Sequence, residues 1–223
     1  MNNVAYELEN FYDNPEEVIR KYAFCDQPSP CPGFRSKKLD ILDQNFYKWF
    51  RKRIFDLHKI EDSGQYQFTT YFNYVEPFEE DVLNYNWPHI DGDVRYGDTK
   101  LNHINYEERM ILGGHIMLSE VIDPNSSVTL WKMHPDLNWT KEQLFDKVLF
   151  NYITTRSKYE KNLITLEEYT KEYEDFHKCF VIEKKIKNEY NKMISWKAGA
   201  IRGGKMITKE QKTRLTHNFY IHV

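Results

Sequence analysis

From Tyr66 onward the chain is written mostly in short runs of β-branched and aromatic residues, and this restricts it to an architecture of paired strands. The clearest run is Tyr66-Gln-Phe-Thr-Thr-Tyr-Phe-Asn-Tyr, and further strands are expected over 83–91, 110–119, 127–132, 179–187, 191–196 and 213–222. The last of these alternates as a half-buried strand should. Arg214, Thr216 and Asn218 share one face, and Leu215, His217 and Phe219 share the other.

Helices precede and interrupt these strands. Asp13 or Asn14 can cap a first helix that has Pro15 in its first turn, and Glu16 and Glu17 lie where the helix dipole favours anions. The proline-rich segment 27–34 reads as a loop. Phe46, Phe50, Ile54 and Leu57 give 42–60 the spacing of a core-packing helix. A helical insert over about 138–178 is marked by two capping boxes, Thr140 with Gln143 and Thr165 with Glu168. Its apolar face would carry Leu144, Val148, Leu149 and Tyr152. The order of elements predicts an α+β protein on an antiparallel sheet system, a single domain over 1–223.

Composition narrows the classes of function. At 223 residues, 40% hydrophobic and 29% charged, the chain reads as globular. No apolar run approaches the ~20 residues of a membrane span, and the acidic start lacks the pattern of a secretory leader. Three cysteines, Cys25, Cys31 and Cys179, make neither a disulfide framework nor a zinc knuckle, so reduced thiols in a cytoplasm are expected. Residues 181–223 hold ten Lys or Arg against three Glu, a net of +7, which leaves −10 for the rest of a chain whose net charge is −3. Such a segment can draw in an anionic ligand or form a lysine-rich sheet edge. The Lys184-Lys185-Ile186-Lys187 run has no aromatics interleaved on its face, which argues against a nucleic-acid platform.

Two pairs of residues stand out chemically. His89 and Asp91, two apart in a strand, would present an imidazole and a carboxylate side by side. Those are two of the three ligands in the two-His-one-carboxylate arrangement that holds non-heme Fe(II). Arg214 and Thr216 would offer a guanidinium fork and a hydroxyl to a carboxylate. Taken singly, a surface pair and an edge-strand arginine explain them as well.

In combination, an early His-x-Asp strand and a final Arg-x-Thr strand resemble the Fe(II)/2-oxoglutarate-dependent oxygenase superfamily, in its prolyl-hydroxylase-like or phage-type branches. Asn10-Phe-Tyr-Asp-Asn-Pro is similar to that branch's leading helix, and Pro32-Gly33-Phe34-Arg35 to its Pro-Gly-x-Arg loop. Tyr85-Asn-Trp-Pro-His-Ile-Asp resembles its metal-binding strand. Residues 114–120 and 127–131 resemble its paired central strands. The resemblance implies a double-stranded β-helix, or jelly-roll. It implies His89 and Asp91 as metal ligands, Arg214 and Thr216 on the distal carboxylate of 2-oxoglutarate, and Fe(II) and 2-oxoglutarate as cofactors. The implied reaction decarboxylates 2-oxoglutarate to succinate and hydroxylates a C–H bond of a substrate, small molecule or protein side chain, that these motifs do not identify.

The pattern breaks at the third ligand. Where the family carries a histidine, this chain offers Arg202 or, one residue on, Gly203. Neither ligates iron, because a guanidinium has no lone pair to give at working pH. Three readings follow. His115 or His103 supplies the ligand, the metal is held by two protein ligands and water, or the chain is a catalytically inactive jelly-roll interaction protein. An arginine at that place would oppose a dication unless it turned outward or paired with a carboxylate such as Asp93. His217 is expected to be structural, since its strand face opposes that of Arg214.

Overall fold

The architecture follows from how the β-branched runs pair. The computed structural model describes residues 5–28, 33–91, 110–205, 207, 211 and 213–223. The elements run β1 (Ala5–Leu8), α1 (Pro15–Tyr22), β2 (Gln27–Pro28), β3 (Phe34–Arg35), α2 (Leu39–Leu42), α3 (Gln44–His58) and β4 (Gln67–Val75). After a 3-10 turn at Asp81–Asn84 come β5 (Tyr85–His89), β6 (Met110–Met117) and β7 (Ser127–Met133). The insert supplies α4 (Lys141–Glu160) and α5 (Leu166–His177). It is followed by β8 (Phe180–Lys187), β9 (Met193–Lys197), β10 (Ile201–Lys205) and β11 (Arg214–His222).

Two antiparallel sheets result. The larger has the order β1-β9-β6-β11-β4-β3-β2 and the smaller β5-β10-β7-β8, the two-sheet arrangement of a jelly-roll. One end of the space between them is closed by apolar residues from both: Val128, Leu130 and Ile186 from the smaller sheet, Ile194 and Trp196 from the larger. The candidate site borders this cluster, and Trp196 belongs to both.

Helices cover the two outer faces. Asn14 and Asp43 cap α1 and α3 through their side chains. α3 buries Phe50 and Ile54 against Phe72, Phe219 and Ile221 of the larger sheet. β11 is therefore buried on both faces, where alternation alone predicts one wet face. His217 becomes a core residue. Its Nδ1 meets the Tyr12 hydroxyl at 2.5 Å and its Nε2 the Thr70 hydroxyl at 2.6 Å, and the ring stacks between Phe50 and Phe72. Both capping boxes of the insert are formed. α5 packs Tyr169 and Phe176 onto Trp87, whose indole N–H donates to the Tyr169 hydroxyl at 2.9 Å. The lysines of β8 line the outer edge of the smaller sheet, where they discourage edge-to-edge pairing.

Four strands fall outside the sequence-based expectations. The two-residue β2 and β3 pair with each other at the ends of the segment that the prolines mark as a loop. β1 is short and edge-placed, and β10 lies in a segment whose Ala-Gly-Ala and Gly-Gly pairs hide its β character.

Candidate functional site

The site begins with a bulge. Along β10, Arg202 pairs with His89 and Gly204 pairs with Asn86, so two steps on β10 match three on β5. The extra residue on β5 turns Trp87 and His89, two apart in sequence, to opposite faces. Trp87 goes outward to the helices and His89 goes inward beside Arg202. Pro88 is tolerated here because β5 is an edge strand with a bulge.

Arg202, and not Gly203, is the residue set against His89. A Cβ at Gly203 would sit 2.8 Å from the Asn86 carbonyl oxygen and 2.9 Å from that of Trp87, so no side chain fits there. Gly204, at φ +115°, is equally committed to glycine.

Arg202 grips Asp91 with both arms of its fork. Nε donates to Oδ2 at 2.7 Å and Nη2 to Oδ1 at 2.5 Å. Trp196 adds an indole N–H to Oδ2 at 2.9 Å, and its ring lies 4.2 Å beneath the guanidinium. The sequence had suggested Asp93 as the partner of Arg202. Asp93 lies outside the described residues, and Asp91 fills that role. Burial pushes the Asp91 carboxyl up, yet the charge and hydrogen bonds of Arg202 hold it below its ordinary value.

His89 is oriented like a ligand. Its Nδ1 lies 2.8 Å from the Trp87 carbonyl oxygen and donates to it, which leaves the Nε2 lone pair directed toward Asp91 Oδ1 at 3.8 Å. Burial, helped by the charge of Arg202, lowers its pKa to about 4, so it is neutral at pH 7. His89 and Asp91 are thus brought together, although not by sharing a strand face, since β5 ends at His89 and Asp91 lies just beyond it.

Arg214 and Thr216 lie on the inner face of β11, buried. Among the described residues, Arg214 Nε and Thr216 Oγ1 have no hydrogen-bond partner. Burial and then the charge of Arg202 lower the Arg214 pKa to about 9, which leaves it a cation at neutral pH. Cross-strand pairing sets Asn73 and then Arg35 beside Thr216, and Tyr71 beside Asn218. Arg35 rests on the Tyr71 ring at 4.4 Å, and its Nε and the Asn73 Oδ1 are also unpartnered. His115, facing Asn218 from β6, is buried with Nε2 unpartnered. Burial and the charges of Arg214 and Arg202 hold its pKa well below the ordinary value.

The arrangement suits an anion. Arg202, Arg214 and Arg35 face it against the Asp91 carboxylate, and buried donors without a protein partner are met by a ligand or by water. It suits iron poorly. Among the described residues no group of three His, Cys, Asp or Glu side chains could hold a metal, so His115 does not complete a triad with His89 and Asp91. Both Asp91 oxygens are engaged by Arg202 and Trp196. His103 lies outside the described residues. Among those residues, no helix is long and apolar enough to cross a membrane.

Sequence reasoning missed Asn73, Tyr71 and Tyr220, and met Arg35 only through resemblance. The available signal was the alternation of β4, which sets Thr69, Tyr71 and Asn73 on the face opposite to Phe68 and Phe72.

No family model matches the chain, and neither does any curated protein. Solved structures do match in fold. HygX from Streptomyces hygroscopicus, with nickel and 2-oxoglutarate bound, superposes with a TM-score of 0.56 at 9% identity, over 99% of this chain and 83% of that one. A prolyl-4-hydroxylase from Pseudomonas putida gives 0.51 at 8% identity, over 99% and 93%. At such identities the likeness is one of fold, and it agrees with the jelly-roll that the resemblance implies.

Proposed function

We propose that this chain is a 2-oxoglutarate-binding protein of the Fe(II)/2-oxoglutarate oxygenase type, with its carboxylate pocket retained and its metal seat rebuilt around Arg202. The observation that carries this reading is the buried Arg214 with an unpartnered Nε, two residues from the equally unpartnered Thr216 hydroxyl. A buried cation without a counter-ion is costly, and a carboxylate supplies both the charge and the acceptors. HygX, a protein of the same fold, was crystallised with 2-oxoglutarate. Calorimetry of 2-oxoglutarate binding tests the reading. Arg214→Ala should abolish the heat of binding and Thr216→Val should weaken it severalfold. Unchanged affinity in Arg214→Ala would make that arginine structural.

A second reading, an active dioxygenase acting as a hydroxylase, is favoured by the tautomer of His89, whose Nε2 lone pair is presented beside Asp91. It requires Arg202 to release Asp91 and a third ligand from beyond the described residues. Its opposite is an inactive jelly-roll whose helical insert serves as a partner surface. Succinate formation from 2-oxoglutarate with Fe(II) and ascorbate separates the two. Arg202→His restores the missing imidazole and should raise turnover in either case. Wild-type turnover equal to that of Arg202→His would show that Arg202 does not impair the site.

A further inference from the structure

The disagreement between the inward residues and a metal centre has a positive meaning. In an iron site the dication minus one carboxylate leaves a net charge of +1 to hold an anion. Here the Arg202–Asp91 pair is neutral, and among the described residues the cations without a carboxylate partner are Arg214, buried, and Arg35 at its side. Arg202 lies on the Trp196 ring, that ring meets His115 edge-on at 5.6 Å, and His115 faces Asn218 on the strand that carries Arg214 and Thr216, so the two guanidiniums share one interior and the charge of one depresses the protonation of the other. One short dianion lying between them would relieve that repulsion with a single bound molecule. The remaining inward groups do not compete. His89 and His115 are neutral, while Tyr71 and Tyr220 are phenols. Asp91 is the opposing charge.

We infer that this interior binds a short dicarboxylate without a metal, Arg214 and Thr216 taking one carboxylate while the Arg202 guanidinium, held in place by Asp91 and Trp196, faces the other where a dication would stand. The inference rests on the carboxylate reading above and goes beyond it in two respects. Binding does not need the 2-oxo group, since that group matters for chelating a metal. Asp91 works against the ligand, whereas in a metal site it would hold the metal that holds the ligand.

Calorimetry on the full chain in EDTA, and again with Mn(II) in place of EDTA, provides the test, with 2-oxoglutarate and glutarate as ligands. Affinity for 2-oxoglutarate should agree within about twofold with and without Mn(II), and glutarate should bind within a few-fold of it. Asp91→Asn, which keeps the shape and removes the opposing charge, should tighten binding by roughly tenfold, and Arg202→Met should weaken it by at least as much. Binding that appears only with Mn(II), that is confined to 2-oxoglutarate, or that weakens in Asp91→Asn overturns the inference and leaves the carboxylate reading standing. No binding of either ligand under either condition overturns the carboxylate reading itself. The metal dependence of the wild type decides the matter even if a variant fails to fold.

Discussion

The strength of the Arg202–Asp91 pair sets how readily anything else can use Asp91, and a double-mutant cycle measures it. Arg202→Met keeps much of the side-chain volume on Trp196 but leaves a buried carboxylate with one indole donor. Asp91→Leu leaves the guanidinium buried on the same ring. Breaking one side of a buried pair costs about 3–5 kcal/mol, because the remaining charge stays desolvated. The double variant has neither stranded charge, so its destabilisation should fall short of the sum of the singles. Two charge-assisted bonds at ~1.5–3 kcal/mol each give an expected coupling of about 3 kcal/mol. Urea unfolding of the four proteins at pH 7 yields it directly. A metal ion that must displace Arg202 would forfeit that energy, about two orders of magnitude in affinity at ~1.4 kcal/mol per tenfold. A coupling under ~1 kcal/mol, the range of exposed pairs, would refute the argument that Arg202 closes the metal seat.

Two further outcomes follow from the packing. Burial lowers the His217 pKa from 6.5 to about 3, so its folded form stays neutral while the unfolded chain takes up a proton. Its contribution is whole above pH 6.5 and is lost as pH falls from there toward 3, at ~1.4 kcal/mol per unit. Between pH 7 and pH 5 the wild type should therefore lose about 2 kcal/mol more stability than His217→Leu, and parallel pH profiles in denaturant titrations would contradict this. At β10, Gly203→Ala should cost ~2 kcal/mol or more, since its Cβ meets two backbone carbonyl oxygens that cannot move aside, whereas Arg202→His should fold. An unshifted melting temperature for Gly203→Ala would remove the reason for assigning the third-ligand position to Arg202.

Much of this protein was legible in its sequence because the determining forces are local. Thr140 with Gln143, Thr165 with Glu168, and Asn14 place helix ends within three residues of themselves. The period of two assigned Arg214 and Thr216 to one face and His217 to the other. What tertiary structure decided lies across strands. Arg202 and Asp91 are 111 positions apart, and their meeting depends on the register of β10 against β5 and on a bulge that follows no residue-by-residue period. The same holds for His217, whose polar atoms are satisfied by Tyr12 and Thr70 from two other elements. It holds also for the unpartnered donors of Arg214 and Thr216. A strand pattern states which face a side chain takes, and only the packed sheets state what that face meets.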